Sequence, residues 1–220
     1  SDYAVQLRSW IGQSGNPDAQ GDSWLGVAST NSLHTGVLLR VQPVYDAAGN
    51  VVDYTYYRVQ VSQNKLYIEK RYYNTATQQC ETVVLSSKNL THNEDVWYVF
   101  HISIIGNTIS VRRPTARGTR LDSYQGSSAI VLSYTDDGTY GAPLTSGSVS
   151  LWAQAEHSTA DAPDLNVYFD EVKLYTADMN PVFYDDFESD TYLGETAAPG
   201  AAAFLLFDNY AYTDDRAYTV

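Results

Sequence analysis

Apolar and polar residues alternate with a period of two along almost the whole chain, and no stretch of helical length places apolar residues three and four positions apart. Such alternation is typical of strands that bury one face and leave the other in solvent. Turn clusters such as DAAGN, SQN and IGN separate the candidate strands. The sequence therefore predicts an all-β fold, a two-sheet antiparallel β-sandwich of jelly-roll type, in one domain over residues 1–220.

The segment WYVFHISIIGNTISVRR predicts the best-defined hairpin of this sandwich. Gly106 and Asn107 divide two alternating runs and suit the positive φ angles of a tight primed turn. His101 lies on the face expected to be exposed. The residues of the other parity are expected in the core: Tyr98, Phe100, Ile102 and Ile104.

The charge balance limits the partners of this chain. Lysine and arginine number 13 against 26 aspartates and glutamates, a formal charge of −13. Such a field repels nucleic-acid phosphates and anionic lipid, so no nucleic-acid partner is expected. The longest apolar stretch, AAPGAAAFLLF, is too short for a membrane helix, so no membrane insertion is expected either. One basic cluster stands out as either a solvated loop or a patch that docks an acidic neighbour: Arg112, Arg113, Arg117 and Arg120.

Four segments in order carry a resemblance to a known family. They are YYRVQVSQNKLYIEKR, WYVFHISIIGNTISV, GSVSLWA and YFDEVKLY. Together they resemble the laminin-G-like, concanavalin A-type lectin and glucanase sandwich of extracellular polysaccharide-binding and adhesive proteins. The resemblance implies an extracellular or cell-surface protein.

The segment VFYDDFES stands at an unexpected place in the chain. In the family that this chain resembles, such a segment opens the module beside the closing strand, whereas here the five residues TADMN join it directly to FDEVKLY. A connection of that length suits an antiparallel hairpin. We therefore interpret the chain as a circular permutation, in which residues 181–220 supply the strands that open the module in the usual order.

The C-terminal strands permit three arrangements: closure within a monomer, one phase of a longer tandem array, or completion of a neighbouring subunit. A strand delivered to an open sheet edge gains main-chain hydrogen bonds and side-chain pockets. A head-to-tail exchange that does not close produces a filament. We therefore predict that the chain binds copies of itself through Phe204, Leu205, Leu206, Phe207 and Tyr218.

The carboxylates lack the pattern that glucanases of this fold commonly use. That pattern, Glu-x-Asp-x-x-Glu, places an acid and a nucleophile beside one glycosidic bond, and it does not occur in the sequence. We therefore expect a protein that is not an enzyme and has no catalytic residues.

Four acidic residues are expected to converge if TADMN forms a hairpin: Asp170, Asp185, Asp186 and Glu188. Clustered carboxylates repel unless a cation or solvent screens them, and Ca²⁺ takes carboxylate and carbonyl oxygens. Modules of the family often hold a structural Ca²⁺ near these strands, so we predict one here, with a solvated acidic cluster as the alternative. A slip of parity in NVYFDEVKLY also predicts a β-bulge at Asp170 and Glu171.

Aromatic side chains beside polar groups are the usual platform for sugar rings. Five residues are candidates for such ligand binding, with core packing as their alternative role: Trp152, Trp24, Tyr54, Tyr56 and Tyr140. The sequence thus supports two main functions, with an enzyme that uses an unfamiliar carboxylate pair as a third, less favoured interpretation. The first is an extracellular structural or adhesive module that self-associates into a filament by strand exchange. The alternative is a carbohydrate-binding module for polysaccharide or glycan, free-standing or part of a polysaccharide-processing enzyme.

Overall fold

The computed structural model describes residues 2–12, 33–62, 65–90, 98–112, 129–155 and 166–185, and these residues form two antiparallel sheets. The predicted all-β sandwich is confirmed. The strands of the described part are β1 (Tyr3–Gly12), β2 (Leu33–Tyr45), β3 (Val51–Val61), β4 (Lys65–Asn74), β5 (Gln79–Asn89), β6 (Tyr98–Ile105), β7 (Thr108–Arg112), β8 (Ile130–Thr135), β9 (Ser148–Ala155), β10 (Asn166–Thr176) and β11 (Pro181–Asp185).

The strands divide unequally between the two sheets. One sheet has six strands in the order β11-β10-β1-β6-β7-β8, and the other has five in the order β5-β4-β3-β2-β9. In the described part of the chain, no helix is long and apolar enough to cross a bilayer.

The core lies between the inward faces of the two sheets. Val5 and Leu7 of β1 pack there with residues of the five-stranded sheet such as Leu39, Tyr57 and Ile68, and all of them are buried. The prediction for β6 is confirmed, because its apolar residues join this core: Tyr98, Phe100, Ile102 and Ile104. Alternation therefore identified the inward face of this strand correctly.

The hairpin between β6 and β7 also forms as predicted. Ile105 pairs with Thr108, which leaves a two-residue turn. Gly106 takes a φ of 54°, whereas Asn107 does not take a positive φ. Glycine tolerates that conformation at no steric cost, so it supplies the reversal at the first central position of the turn.

The connection TADMN forms the predicted antiparallel hairpin between β10 and β11. Val172 pairs with Asp185, and Lys173 pairs with Tyr184. The turn is closed by two main-chain hydrogen bonds of 2.9 Å, which the amides of Thr176 and Met179 donate to the carbonyls of Asn180 and Thr176 respectively. The hairpin is thus confirmed, whereas the circular permutation inferred from it remains a prediction.

A register shift occurs where the slip of parity predicts a bulge. Gln6 of β1 pairs with Lys173, but Arg8 pairs with Asp170, so β10 carries one extra residue between these pairs. The bulge therefore lies in β10 next to Asp170, which is one of the four acidic residues predicted to converge.

Arg40 fixes one end of the sandwich. It interrupts β2 with a φ of 52° and is buried. Its main-chain amide donates to the Tyr3 hydroxyl at 2.9 Å, and its Nη1 donates to the carbonyls of Gly106 at 2.8 Å and Leu144 at 2.5 Å. Its Nη2 donates to Asp2 Oδ1 at 3.1 Å. One residue thus links β2 to three other segments of the chain.

Lys70 and Asp136 form a buried ion pair between the sheets. Lys70 Nζ lies 2.8 Å from Asp136 Oδ2 and also donates to the carbonyls of Gly141 at 2.8 Å and Ala142 at 3.1 Å. The Tyr57 hydroxyl donates to the same carboxylate oxygen at 2.5 Å. Burial alone would raise the pKa of Asp136, but hydrogen bonds from Lys70 and Tyr57 outweigh it and hold the pKa below its ordinary value.

The expectation that His101 is exposed is wrong. The side chain lies on the outward face of the six-stranded sheet, yet it is only 2% exposed. Burial is the main cause that lowers its pKa from 6.5 to about 4, and the positive charges of Arg112 and Lys173 lower it further. Alternation predicts which face a side chain takes, but it does not say whether that face is covered.

The depressed pKa of His101 predicts a pH-dependent stability. The unfolded chain binds this proton more readily than the folded chain, so the contribution to stability is complete above pH 6.5 and is lost as the pH falls toward 4. We expect the loss to reach about 3 kcal/mol. Urea unfolding of the native chain and of His101→Gln at several pH values measures it. Equal slopes for the two proteins over this range would contradict the expectation.

Candidate functional site

The outward face of the five-stranded sheet combines tyrosines with charged and amide side chains. Cross-strand pairs place Tyr56 beside Arg71, Arg58 beside Glu69, and Gln60 beside Tyr67. Because paired residues of antiparallel strands point to the same side, these side chains share one face. The residues of this parity on the two central strands are Tyr54, Tyr56, Arg58 and Gln60 of β3 and Tyr67, Glu69, Arg71 and Tyr73 of β4.

A closed set of polar contacts holds the centre of this face, and we name it the polar cluster: Arg58, Gln60, Glu69 and Trp152. Glu69 Oε2 accepts hydrogen bonds from Arg58 Nε at 2.6 Å and from Gln60 Nε2 at 2.9 Å. Trp152 Nε1 donates to Gln60 Oε1 at 3.0 Å, and the Arg58 guanidinium lies 4.6 Å from the centroid of the Trp152 ring. Such mutually supporting contacts fix the rotamers of all four side chains.

Gly36 permits the close approach of β2 and β3 beneath this cluster. It pairs with Gln60 on one side and with Trp152 on the other. A Cβ atom at position 36 would lie 2.0 Å from the carbonyl oxygen of Val59, far inside van der Waals contact. The sheet geometry that brings Gln60 and Trp152 together therefore requires glycine here.

Toward one end of the face, a group of side chains is partly accessible, and we name it the open patch: Asp53, Tyr54, Arg71 and Tyr73. Arg71 binds Asp53 through two contacts, Nη2 to Oδ2 at 2.6 Å and Nε to Oδ1 at 3.2 Å. These two side chains are 27% and 32% exposed, and Tyr73 is 42% exposed. Burial would raise the pKa of Asp53, but hydrogen bonds from Arg71 and from the Tyr54 amide outweigh it and lower the pKa. Asp53 is therefore an ionised acceptor at neutral pH.

The structure brings three of the five predicted ligand-binding aromatics together. Trp152 and Tyr56 pack in one cluster on the outward face, with Tyr54 against it. Trp152 is 1% and Tyr56 is 7% exposed, so these two rings support the face from within, and Tyr54 lies in the open patch. Tyr140 lies elsewhere, with its ring centroid 5.8 Å from that of Tyr72. Trp24 lies outside the described residues.

The polar partners of these aromatics were missed from the sequence. Arg58 and Gln60 follow Tyr54 and Tyr56 with the same parity, so this spacing could have found them. Glu69 gave no such signal, because its place beside Arg58 depends on the register between β3 and β4.

The predicted calcium site lies only partly within the described residues. β10 and β11 place the backbone of Asp185 opposite Val172, two positions from Asp170. Asp186 and Glu188 lie outside the described residues, as do the predicted self-assembly residues, Phe204 to Phe207 and Tyr218. Within the described ranges, no three His, Cys, Asp or Glu residues gather where they could hold a metal ion. Structural calcium and self-assembly both remain predictions.

Comparison with known proteins yields structural neighbours only. No family model matches the chain, and no curated protein matches it. The carbohydrate-binding module CBM66 from Bacillus subtilis matches with 10% identity and a TM-score of 0.42, over 79% of this chain and 74% of the module. The CBM2 module of the evolved Dit of Lactobacillus casei BL23 phage J-1 matches with 15% identity and a TM-score of 0.36, over 77% of this chain and 59% of its own.

A third neighbour is the alginate lyase A1-II′, a member of polysaccharide lyase family-7. It matches with 10% identity and a TM-score of 0.34, over 77% of this chain and 62% of the lyase. At 10% to 15% identity, none of these three matches indicates a function for this chain.

Proposed function

We propose that the protein is a carbohydrate-binding module and that the open patch binds the glycan. The observation that carries this proposal is the partly exposed, doubly bonded pair of Asp53 and Arg71, with Tyr54 and Tyr73 two residues beyond the Tyr56–Arg71 pair on β3 and β4. Tyrosine rings offer apolar faces to a pyranose ring, while a carboxylate and a guanidinium offer acceptors and donors to its hydroxyls. A few fixed polar groups among aromatics are typical of small-ligand sites.

The charges of the face support a neutral glycan. Arg71 is neutralised by Asp53, and Arg58 is neutralised by Glu69 at 2.6 Å. A uronic acid at the open patch would compete with Asp53 for Arg71 and would meet the repulsion of a chain that carries −13. A ligand without charge meets neither cost.

The polar cluster supports binding by holding the face in place. Its member Arg58 lies two residues after Tyr56 on β3, and its member Glu69 lies two residues before Arg71 on β4. Because the cluster is largely buried and its members hydrogen-bond one another, the strands beneath the open patch are held before a ligand arrives. Preorganisation of this kind raises affinity by lowering the cost of ordering on binding.

Removal of the exposed Tyr73 and the half-buried Tyr54 tests the proposal. We expect the double variant Tyr54→Ala/Tyr73→Ala to bind at least about tenfold more weakly, because each ring contributes stacking area. Affinity electrophoresis in gels containing a panel of neutral polysaccharides measures the change. Tyr184→Ala, on the six-stranded sheet and 38% exposed in the native chain, is the matched control. The proposal fails if no neutral polysaccharide retards the native chain, or if the double variant and the control bind equally.

A structural role with self-association is the second candidate, within a permuted laminin-G-like module at the cell surface. β11 lies at an edge of its sheet among the described strands, and Val182 and Tyr184 on it are exposed. An exposed apolar edge is a template for pairing with another chain. The isotope-mixing experiment in the next subsection tests whether copies associate.

A further inference from the structure

The outward face of the six-stranded sheet carries a straight row of polar side chains. The register pairs Lys173 of β10 with Gln6 of β1, Gln6 with His101 of β6, and His101 with Arg112 of β7. We name these four residues the cationic row. They cross four neighbouring strands on the side of the sheet turned away from the core.

The middle of this face is covered. Gln6 is 0% exposed and His101 is 2% exposed, and the neighbours Ala4 and Val99 are buried as well. These residues have the parity opposite to that of Val5 and Leu7 in the core, so the core does not bury them. The centre of the face is therefore an interface rather than a solvent surface.

The side chain of Gln6 is a buried polar group that this interface leaves without a hydrogen bond. Its side-chain Oε1 and Nε2 are both buried and have no hydrogen-bond partner. A buried amide without partners is destabilising, and native proteins rarely leave one in that state. The occupant of the face is therefore expected to bring both a donor and an acceptor to this point, as a main chain does.

The surroundings of Gln6 favour an acidic occupant. Lys173 and Arg112 lie at the two ends of the row, and Arg8 lies two residues after Gln6 on β1. These positive charges act on His101. Burial is the main cause that lowers the pKa of His101 to about 4, and the charges of Arg112 and Lys173 lower it further. This concentration of positive charge stands out in a chain that carries −13.

We propose that residues 186–220 of the same chain pack across the cationic row, with their carboxylates near Lys173 and Arg112 and their main chain opposite Gln6. This segment contains seven acidic residues against one arginine, a formal charge of −6. It also contains the apolar run AFLLF, which suits the covered surface around Ala4 and Val99.

Chain connectivity makes the segment begin at the six-stranded sheet. β11 ends at Asp185 on the edge of the six-stranded sheet, and residue 186 follows directly. Neighbouring strands lie about 4.8 Å apart, so six strands span about 24 Å. A segment of 35 residues can cross that distance several times, at about 3.3 Å per residue. We take the segment to come from the same chain, because β11 already ends at the edge of this sheet.

Photo-crosslinking in the full-length chain tests this packing. A benzoylphenylalanine placed at Ser103, beside the cationic row, should form crosslinks that mass spectrometry locates within residues 186–220. The same group at Tyr67, on the other sheet, is the matched control. Crosslinks from position 103 to other segments alone, or a yield in 186–220 no greater than from position 67, would overturn the proposal.

An equal mixture of ¹⁴N- and ¹⁵N-labelled chains identifies the source of the segment. Crosslinked peptides of mixed label are expected at about half of the total if the segment comes from a second copy, and they are absent if it comes from the same chain. Absence of mixed label supports the same-chain packing, whereas mixed label at about half of the total would overturn it in favour of self-association.

Charge reversal provides a second test on the full chain. Lys173→Glu/Arg112→Glu should speed proteolytic cleavage within residues 186–220 by at least about tenfold, because the acidic segment would leave a face that repels it. Lys65→Glu/Lys88→Glu changes the net charge equally on the other sheet and should leave the cleavage rate unchanged. Equal rates in the two double variants would contradict the proposal. The inference concerns the six-stranded sheet and does not depend on carbohydrate binding by the other.

Discussion

Lys70→Met is expected to lower the free energy of unfolding by about 3–5 kcal/mol. The substitution removes the Nζ that binds Asp136 at 2.8 Å while both side chains are 1% exposed. It leaves the Asp136 charge buried, with the Tyr57 hydroxyl and the Gly138 amide as its hydrogen-bond donors. The carbonyls of Gly141 and Ala142 also lose their donor.

A double variant separates the lost ion pair from the lost packing. Lys70→Met/Asp136→Asn has no buried charge at this point, so it should recover part of the stability that Lys70→Met loses. Lys65→Met, at the partly exposed start of β4, is the control and should cost less than about 1 kcal/mol. Urea unfolding followed by circular dichroism gives all three values. A loss below about 1 kcal/mol for Lys70→Met would show that the pair does not hold the sheets together.

Gly36→Ala is the second substitution with a large expected effect. We expect it to destabilise the fold by about 3 kcal/mol, because the added Cβ would lie 2.0 Å from the Val59 carbonyl oxygen and 2.8 Å from Gln60 Cα. Main-chain atoms of a central strand have little room to move away. β2 would have to separate from β3, and the hydrogen bond between Gln60 and Trp152 would weaken with it.

Ser87→Ala is the matched control for this glycine. Ser87 pairs with Tyr67, which pairs with Gln60, so it lies in the same transverse row as Gly36 but at the exposed edge strand. A change within about 0.5 kcal/mol is expected there. Thermal and urea unfolding compare the two variants, and intrinsic fluorescence reports the environments of the four tryptophans, Trp152 among them. Equal stability for Gly36→Ala and the native chain would mean that β2 and β3 need not approach so closely.

The fold class and much of the strand arrangement follow from local sequence. Alternation identified the inward face of β6, and the Gly106 turn and TADMN each predicted a hairpin that forms. These features depend on residues close together in the chain. The exposure of His101 was predicted wrongly because a covering layer is a long-range property that no local period contains.

The candidate site could likewise be predicted only in part from local sequence. The aromatic residues Tyr54 and Tyr56 could be named from composition and parity, and they do lie on one face with Trp152. The hydrogen bond between Trp152 and Gln60 joins residues 92 positions apart, so it depends on β9 and β3 both flanking β2. Single-sequence reasoning has no access to such a pairing until the strand order is known.

The contacts of Arg40 have a consequence for the order of folding. The side chain bonds to residues 38, 66 and 104 positions away, so its contacts require closure of some of the longest loops in the described chain. Contacts of that separation form late in a sandwich, after local hairpins such as β6–β7 have formed. Substitutions at Arg40 should therefore speed unfolding and leave the folding rate nearly unchanged, so this end of the sandwich would govern how long the native state persists.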